Sequence, residues 1–527
     1  MKSVETADAQ DLKILKSSPL DDAGWQDKKS APEQGIQHWV PSRYTVRAAT
    51  DNGDLILWNT LHRSMSIFKK EQSPYVLEML KPAGVQARED DGGLAGYLIK
   101  RGVLVSKGTD EYSKFLLAFG QQHYRNDVLE LFVLSSEDCN FRCKYCYEEF
   151  ARGTMHPEVR RGIKRLVEKQ IKHLRTLDVR WFGGEPLYGW AAVEELAPFF
   201  QQIAQEHGVR HRSQITTNGY LLTPDVAERL LNWNIRSYQI TLDGVPDTHD
   251  CSRPTRDGRP TFQTIFENLK SMAKRKDEYY VNLRVNFDKT NSNRLEEFLD
   301  LVQKDLKPDS RFNLTFHAVG RWGGANDPQL QVCGGDEKFD IMTNIKEAAH
   351  ARGLRVDNLK DYNYLGGMVC YAARPYNFII GASGKVMKCT VLLDMDERNV
   401  VGRLMEDGSM LMNNTKMARW TEPSFEKDTT CQKCFMLPNC QGISCPLPRM
   451  DEEKRPCVPT KFRAKAELRE AFKLQATPAV RREVVQQVQQ EQQVQQTPPV
   501  QQVQQVQQVP PVQLPPVQQV QFAEQGK

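Results

Sequence analysis

The sequence predicts an α/β protein built around a partial (β/α)6 barrel, with a small winged-helix-like module before it and a cysteine-rich domain after it. Six apolar stretches alternate with helical stretches between residues 126 and 325, as in parallel β/α units. Polar motifs follow several of these stretches, at the strand ends where β/α barrels carry their chemistry. Seven of the twelve cysteines lie between Cys370 and Cys457.

The first predicted element is a module over residues 36–125, after a polar and non-periodic lead at 1–35 that we expect to be disordered. Asn52-Gly53 is a hairpin signal between two short strands, and two helical stretches and a strand at 103–105 follow it. This β-β-α-α-β pattern suits a winged-helix-like fold. The pattern contains no convergent set of His, Cys or acidic residues, so we expect the module to bind a partner rather than to catalyse.

The barrel, at 126–325, is predicted from strands at 129–135, 179–182, 213–217, 238–242, 282–287 and 314–318. Helices are predicted between them at 157–172, 224–233, 262–274 and 294–304. The cysteine-rich domain at 326–465 shows a helix at 336–351 and little other regular structure. We expect a disordered tail at 466–527, because the chain after about residue 475 repeats Val-Gln-Gln and Pro-Pro-Val with almost no aromatic or charged residues.

Composition and charge exclude several classes of function. The net charge of +4 comes from mixed charges without a dominant basic tract, so nucleic acid is not an expected partner. We find no signal-peptide core and no stretch of about 18 apolar residues, so we expect a cytoplasmic protein that does not enter a membrane. Clustered cysteines in that reducing compartment indicate metal binding or catalysis rather than disulfides.

The first cysteine cluster is the loop Cys139-x3-Cys143-x2-Cys146, directly after the first barrel strand. Three thiolates can ligate three irons of a four-iron cubane and leave the fourth iron open to a cofactor or substrate. A structural zinc site is the alternative, but it requires four ligands. The loop alone therefore indicates an iron–sulfur site.

This loop after a first β-strand resembles the signature of the radical S-adenosylmethionine (radical SAM) superfamily. The resemblance implies a partial TIM-like barrel and a [4Fe–4S] cluster that cleaves S-adenosylmethionine reductively to methionine and a 5′-deoxyadenosyl radical. It also implies that Tyr145, the aromatic residue before the last cysteine of the loop, lies near the adenine. In such enzymes the cofactor supplies the difficult chemistry, and the protein supplies geometry and shielding.

Motifs at later strand ends resemble the family's S-adenosylmethionine contacts. Gly183-Gly184-Glu185 resembles the motif that binds the methionine amino group, and Arg253 suits a carboxylate because its guanidinium can bind both oxygens. The resemblance implies cofactor contacts at Gly183, Gly184, Glu185, Thr217, Asn218, Gln239, Arg253 and, for the ribose, Asn286. For a Thr or Asn at a strand end, a role as a local cap is the alternative.

The second cysteine array resembles the SPASM domain, an extension that holds two auxiliary four-iron clusters in radical enzymes that mostly modify peptides and proteins. One or two zinc ribbons are the alternative. Four residues separate Cys440 from Cys445, where the family pattern has three, so we expect a different local loop. The resemblance implies a barrel-proximal cluster on Cys370, Cys389 and Cys445, and a distal cluster on Cys431, Cys434, Cys440 and Cys457.

The fourth ligand of the proximal cluster is not evident from the sequence. Fully ligated family members have a further cysteine shortly before the position of Cys370, and residues 362–369 contain none. Either Cys333 reaches this cluster, or one iron is open and could bind a substrate thiolate. We favour the open iron.

The substrate is predicted from the same resemblance. Sulfatase-maturating members carry an Asp general base after the cysteine that matches Cys389, whereas this chain has Thr390, whose hydroxyl cannot act as a base near neutral pH. Peptide maturases often carry an N-terminal leader-binding module, which fits residues 36–125 and could capture a leader by strand addition.

We therefore expect an enzyme that forms a thioether or carbon–carbon cross-link in a ribosomally made precursor peptide. The expected partners are that peptide with its leader and a flavodoxin- or ferredoxin-like electron donor. The expected cofactors are three [4Fe–4S] clusters and S-adenosylmethionine. The alternatives are a sulfatase-maturating-type or other protein-modifying radical SAM enzyme, and a non-catalytic metal-binding scaffold.

Overall fold

The computed structural model describes residues 35–474, except residues 91, 151, 152, 307, 308, 394, 453, 454 and 456. The predicted lead, apart from residue 35, and the predicted tail beyond residue 474 lie outside the described residues. Within the described part, none of the helices has the length and apolar character needed to cross a membrane.

The N-terminal module contains two three-stranded antiparallel sheets, which differs from the predicted β-β-α-α-β pattern. Its strands are β1 (Gln37–Pro41), β2 (Thr45–Ala49), β3 (Leu55–Asn59), β4 (Ser64–Phe68), β5 (Val85–Ala87) and β6 (Leu104–Ser106). Its helices are α1 (Ser73–Met79), α2 (Leu94–Lys100) and α3 (Glu111–His123). One sheet has the order β2-β3-β4, and the other has the order β5-β1-β6.

Strand β4 explains part of this difference. Ser64 and Ser66 are buried, whereas Ile67 is 42% exposed. The buried hydroxyls are satisfied, because Ser64 Oγ donates to the Arg101 carbonyl at 2.6 Å and the Tyr97 hydroxyl donates to Ser66 Oγ at 3.2 Å. The alternation of apolar and polar residues would predict that the face with the serines is exposed, whereas that face is buried. The burial of this face depends on hydrogen-bond partners that are distant in sequence.

The six predicted barrel strands and the four predicted barrel helices are all present, and the strands are parallel. The strands are β7 (Val128–Ser136), β8 (Thr176–Gly183), β9 (Arg210–Thr217), β10 (Ser237–Thr241), β11 (Tyr280–Phe287) and β12 (Phe312–Ala318). The helices are α4 (Pro157–Gln170), α5 (Trp190–Glu206), α6 (Pro224–Asn232), α7 (Pro246–Ser252), α8 (Phe262–Ala273) and α9 (Leu295–Asp305). Neighbouring strands in the sheet are neighbours in the chain, so their carboxyl ends meet along one edge.

The cysteine-rich domain contributes four strands to the same sheet, contrary to the prediction of little regular structure. These are β13 (Asn377–Ile380), parallel to β7, and then β14 (Lys385–Met387), β15 (Val400–Leu404) and β16 (Met410–Met412), each antiparallel to its predecessor. The helices are α10 (Glu337–Ala351), as predicted, α11 (Asn414–Thr421), α12 (Thr429–Gln432), α13 (Leu437–Cys440), α14 (Leu447–Glu452) and α15 (Thr460–Lys473). Strands of three to five residues are too short for periodicity to reveal.

Helix α15 runs past the predicted domain boundary at residue 465. Its buried residues Ala464, Leu468 and Ala471 recur at spacings of four and three, so the sequence contained the signal for this helix. The Arg469 Nε donates to the carbonyl of Ala49 at 2.7 Å, which ties the helix to strand β2. The folded part therefore includes residues that the sequence analysis assigned to the tail.

Candidate metal centre

The loop with the first three cysteines lies at the carboxyl end of β7, where the barrel strands end together. Backbone hydrogen bonds join this loop to the segment after α7. The Arg142 N–H donates to the Pro254 carbonyl at 2.9 Å, and the Lys144 N–H donates to the Ser252 carbonyl at 2.9 Å. The protein backbone itself therefore positions the thiols.

The three thiols lie in an environment that disfavours the thiolate form. Cys139 is buried, and Cys143 and Cys146 are partly buried. Burial raises the pKa of all three, to about 12 for Cys146, and the neighbouring thiolates raise the pKa of Cys139 further. Bound iron would favour the thiolate form that this burial opposes.

The donor set fits a four-iron cluster with one open iron. Among the described residues, no three His, Cys, Asp or Glu side chains converge on a position for a single ion. A cluster does not require such convergence, because each thiolate ligates a different iron.

Gly183 and Gly184, at the end of β8, allow that strand to approach the cysteine loop. A Cβ on Gly183, where φ is +124°, would lie 2.0 Å from the carbonyl oxygen of Ser136. A Cβ on Gly184 would lie 2.6 Å from the carbonyl oxygen of Asp138. At both positions a side chain would collide with a backbone carbonyl oxygen, so these glycines allow two backbone segments to pack together.

Glu185 is fully buried, and both of its carboxylate oxygens accept hydrogen bonds. Oε1 accepts from the Thr217 hydroxyl at 2.7 Å and from the Leu187 N–H at 3.0 Å, and Oε2 accepts from the Asn218 N–H at 2.7 Å. Burial raises the pKa of Glu185, and these three donors oppose that shift. A carboxylate has about four lone-pair sites, so the arrangement leaves room for one more donor, such as a ligand ammonium.

Asn218 connects this carboxylate to the first cysteine. Its Nδ2 donates to Oδ1 of Asn140 at 2.8 Å and lies 3.9 Å from Cys139 Sγ. The sequence analysis predicted Asn218 but missed Asn140, whose signal was its place directly after Cys139. Both amides stand where they can orient the first cysteine.

Tyr145, Asp243, Arg253 and Asn286 form one hydrogen-bonded cluster beside the cysteine loop. The Tyr145 hydroxyl donates to the Asp243 carboxylate and accepts from Arg253 Nη1 at 2.8 Å and from Asn286 Nδ2 at 3.0 Å. Asp243 Oδ1 also accepts from the Asn286 N–H at 2.8 Å. Three of the predicted contact residues therefore meet, and Asp243, which the site prediction omitted although it follows β10 closely, joins them.

Arg253 retains one buried donor that no protein group satisfies. Its Nη1 lies 3.8 Å from Asp243 Oδ2, but its Nε has no hydrogen-bond partner, and the side chain is only 6% exposed. A buried donor left without a partner costs about 1–3 kcal/mol. An anionic ligand group beside Arg253 would remove that cost.

Gln239 lies apart from this cluster. It is on β10, next to Asn282 of β11 in the parallel register, and its Oε1 accepts from Asn282 Nδ2 at 3.4 Å. Gln239 stands two residues before the end of β10, so it lies deeper along the barrel than the strand-end residues.

The auxiliary cysteines fall into the two sets that the sequence predicts. One small pocket is lined by Cys431, Cys434, Cys440 and Cys457, together with Arg455 and Lys461. In the other set, burial raises the pKa of Cys370 to about 12, and the nearby thiolates of Cys389 and Cys445 raise it too.

Cys333 does not join either set. Burial raises its pKa, and the charges that act on it are those of Glu337, Asp288 and Lys289, which lie at the start of α10 and just after β11. Of the two alternatives for the fourth ligand of the proximal set, the structure does not support the one that uses Cys333.

Thr390, the residue after Cys389, is bonded to a tyrosine. Its hydroxyl lies 2.6 Å from the Tyr371 hydroxyl, and its N–H donates to the same oxygen at 3.1 Å. Burial raises the pKa of Tyr371, so this position holds two neutral hydroxyl groups at ordinary pH.

Comparison with known proteins agrees with this geometry. Residues 133–302 match the model of the Radical SAM superfamily. The radical SAM cyclopropyl synthase TigE of Paramaledivibacter caminithermalis is 26% identical over 154 residues, which are 26% of this chain and 31% of that protein. A serine-type anaerobic sulfatase-maturating enzyme of Klebsiella aerogenes is 23% identical over 323 residues, which are 58% of this chain and 77% of that protein. The chain thus spans less than a third of the cyclopropyl synthase.

A solved structure of native anSMEcpe with bound AdoMet and the Kp18Cys peptide has a similar fold. Its TM-score is 0.50 at 18% identity, and the match covers 66% of this chain and 99% of that chain. This likeness concerns the fold, and it confirms the predicted α/β class with a central parallel sheet.

Proposed function

We propose that this chain, whose residues 133–302 match the Radical SAM superfamily, is a radical SAM enzyme that modifies a ribosomally made precursor peptide by forming a thioether or carbon–carbon cross-link. A [4Fe–4S] cluster and S-adenosylmethionine belong to the family. The observation that carries the proposal is the combination of a cysteine loop at the barrel's strand ends with two further cysteine groups downstream.

The chain's own residues have distinct tasks in this proposal. Cys139, Cys143 and Cys146 hold the cluster, which when bound supplies the electron that splits S-adenosylmethionine into methionine and a 5′-deoxyadenosyl radical. Glu185 has one free lone-pair site for the methionine ammonium. The unpaired Nε of Arg253 suits the methionine carboxylate.

Four hydrogen-bonded side chains fix the shape of the cofactor site, namely those of Tyr145, Asp243, Arg253 and Asn286. Their hydrogen bonds join the cysteine loop to the ends of β10 and β11, so these elements keep one relative position. Such positioning matters because small displacements of a reacting group from its productive geometry slow catalysis strongly.

The downstream cysteines support a peptide substrate. We assign one auxiliary cluster to each of the two groups described above. The proximal group has three thiols, and Cys333 lies elsewhere, so a four-iron cluster held there would have one iron open to a substrate thiolate. A thiolate held there would be the natural sulfur partner in a thioether. The anSMEcpe structure of similar fold, which holds a peptide, agrees with a peptide partner.

The N-terminal module offers a place for the leader of that peptide. Strand β5 (Val85–Ala87) lies at the edge of the sheet β5-β1-β6. An edge strand has free backbone donors and acceptors, which an extended leader could pair with by strand addition.

A sulfatase-maturating activity is the second candidate, because the Klebsiella aerogenes relative matches 58% of this chain. Thr390 weighs against it. The residue after Cys389 would have to accept a proton, and the Thr390 and Tyr371 hydroxyls are both neutral near pH 7. We therefore rank the cross-linking activity first.

Anaerobic reconstitution tests the radical step directly. With dithionite and S-adenosylmethionine, the wild-type chain should release 5′-deoxyadenosine, and the variant with Cys139, Cys143 and Cys146 replaced by Ala should release none. If three sites each hold one cluster, that variant keeps about two-thirds of the iron. The Cys251→Ser variant changes an exposed cysteine outside all three groups and should keep both activity and iron.

Two outcomes would contradict the proposal. A wild-type protein that contains iron but releases no 5′-deoxyadenosine would reject the radical step, and complete loss of iron in the triple variant would reject the auxiliary sites. The cross-link is tested with a short peptide from a neighbouring reading frame, which the proposal expects to encode the precursor. Mass spectrometry should show the loss of two hydrogen atoms and fragments that remain joined between two residues.

A further inference from the structure

A cavity of about 1030 Å³ opens at the amino ends of the barrel strands, at the end of the barrel opposite the cysteine loop. Its lining includes Val128, Thr176 and Arg210, which are the first residues of β7, β8 and β9. The volume is at the upper limit of the roughly 300–1,000 Å³ that small-molecule pockets occupy. The cavity is therefore large enough for a segment of a peptide.

The cavity concentrates positive charge. The whole chain is nearly balanced, with 71 Lys and Arg against 67 Asp and Glu. The cavity lining, by contrast, has six arginines against only two carboxylates, Glu130 and Asp178. The arginines are Arg125, Arg175, Arg180, Arg210, Arg212 and Arg374.

Four of the charged side chains in the cavity, those of Glu130, Asp178, Arg180 and Arg374, form ion pairs with one another. Glu130 accepts hydrogen bonds from Arg374 Nη1 at 2.7 Å and from Asn377 Nδ2 at 3.0 Å. Arg180 Nε donates to Asp178 Oδ1 at 3.2 Å. These ion pairs need no ligand.

The outer arginines have no such partners. Arg210 and Arg212 make no side-chain hydrogen bond or ion pair with any residue that the structure describes. Arg175 approaches a carboxylate only at 3.9 Å, and that carboxylate, Asp127, is already paired with Arg125 at 2.7 Å. The rim therefore carries three cations without adequate counter-charge.

The three cations lie side by side. The Arg210 N–H donates to the Arg175 carbonyl at 3.1 Å, which places the two residues on adjacent chain segments. Arg212 stands beside Asp178 in the parallel register of β8 and β9, and it shares a face with Arg210 because side chains two apart on a strand point the same way. The lining also includes two half-exposed tyrosines, Tyr364 and Tyr376.

We propose that this cavity binds an acidic segment of the peptide substrate, with its carboxylates on Arg175, Arg210 and Arg212. This inference rests on the proposed function, which supplies the peptide. Arginine forks bind carboxylates through two parallel hydrogen bonds, and the tyrosine rings of the lining offer surface to the backbone and side chains of an extended chain. A single wall of unpaired arginines thus selects for Asp and Glu in the substrate.

The position of the cavity also predicts how many residues separate the acidic segment of the peptide from the residue that is modified. Strand β7 has nine residues and ends at the cysteine loop, so it spans about 30 Å at roughly 3.3 Å per residue. An extended peptide that runs along the barrel strands would cover this distance with about eight to nine residues. We therefore expect the acidic segment to lie about that far from the residue that is modified.

Binding without turnover tests the inference. Fluorescence anisotropy on the full-length chain compares a fluorescein-labelled decapeptide of alternating Glu and Gly with a matched peptide of Gln and Gly. We expect the Glu peptide to bind at least about tenfold more tightly at low salt, and this preference to shrink at high salt. The triple variant R175Q/R210Q/R212Q should lose the preference, whereas Arg212→Lys, which keeps the charge, should keep most of it.

A matched control removes three exposed positive charges elsewhere. The variant R47Q/R161Q/R165Q changes none of the residues that line the cavity and should retain the tenfold preference. Equal binding of the two peptides to the wild-type chain would overturn the inference, and so would a preference that survives in R175Q/R210Q/R212Q. Tighter binding of a labelled ten-residue oligothymidine, lost in that variant, would assign the cavity to nucleic acid instead.

Failure of this inference is distinguishable from failure of the proposed function. The release of 5′-deoxyadenosine from S-adenosylmethionine reports on the cysteine loop, and the anisotropy assay reports on the cavity. A chain that cleaves S-adenosylmethionine but binds both peptides equally keeps its radical chemistry and loses only the acidic specificity.

Discussion

The Gly184→Ala substitution tests whether the end of β8 positions the cysteine loop. The added Cβ would lie 2.6 Å from the Asp138 carbonyl oxygen and 3.1 Å from Cys139 Cβ. The first contact is with backbone and is too short to persist, so the loop must move away from β8. Overpacking of this kind typically costs about 1–3 kcal/mol. Because Cys139 lies next to the point of contact, its thiol is displaced as well.

The expected result is a specific loss of the cluster on this loop. The variant should still fold, and its thermal unfolding should occur at a lower temperature than that of the wild-type chain. If three sites each hold one cluster, it should lose up to about one third of the iron. It should also release much less 5′-deoxyadenosine. Gly120→Ala is a matched control, because Gly120 lies in α3 with nothing within 4 Å of the added Cβ. That control should stabilise its helix by about 0.5–1 kcal/mol. Unchanged iron content and activity in Gly184→Ala would refute this account of the loop.

Two further substitutions address other parts of the chain. Tyr145→Phe removes the hydroxyl that Asp243, Arg253 and Asn286 share. Isothermal titration of the reconstituted variant should show weaker binding of S-adenosylmethionine at full iron content. Unchanged affinity would mean that these four hydrogen-bonded side chains do not shape the site. Burial lowers the pKa of His211 to about 4, and neither ring nitrogen has a hydrogen-bond partner. Below pH 6.5 the unfolded chain therefore binds a proton at this histidine more readily than the folded chain does. The folded state loses stability as the pH falls from about 6.5 to 4. The His211→Leu variant should lose less stability over that range in urea unfolding, and an identical pH dependence would contradict this reasoning.

The barrel could be predicted because local patterns determine it. Apolar stretches with helices between them imply parallel β/α units, and all six strands appear within three residues of the predicted limits. The cysteine loop, Glu185 and Asn218 are expected from the resemblance of their motifs to the radical SAM family, and each begins within three residues of the end of a strand. Parallel strands bring such residues to one edge of the sheet without further information.

The rest depends on contacts between distant segments, which one sequence does not reveal. Strand β13 joins the sheet beside β7 although more than 200 residues separate them, and β4 buries two serines because residues of α2 and its end satisfy them. The role of Gly184 is similar, since only the folded chain shows that the loop at Asp138 lies against it. The basic cavity is a further case, because its arginines come from separate strands and loops.

The two buried carboxylates of the proposed cofactor site show how the chain would prepare it. Glu185 and Asp243 each accept hydrogen bonds from a backbone N–H on a neighbouring strand end, those of Asn218 and Asn286. Each carboxylate therefore joins two adjacent strands of the barrel at the edge where the cysteine loop lies. Burial raises the pKa of both, and the donors around them oppose that shift, so these hydrogen bonds favour the charged form. A site held by such bonds has its shape before the cofactor arrives, and binding then costs little reorganisation.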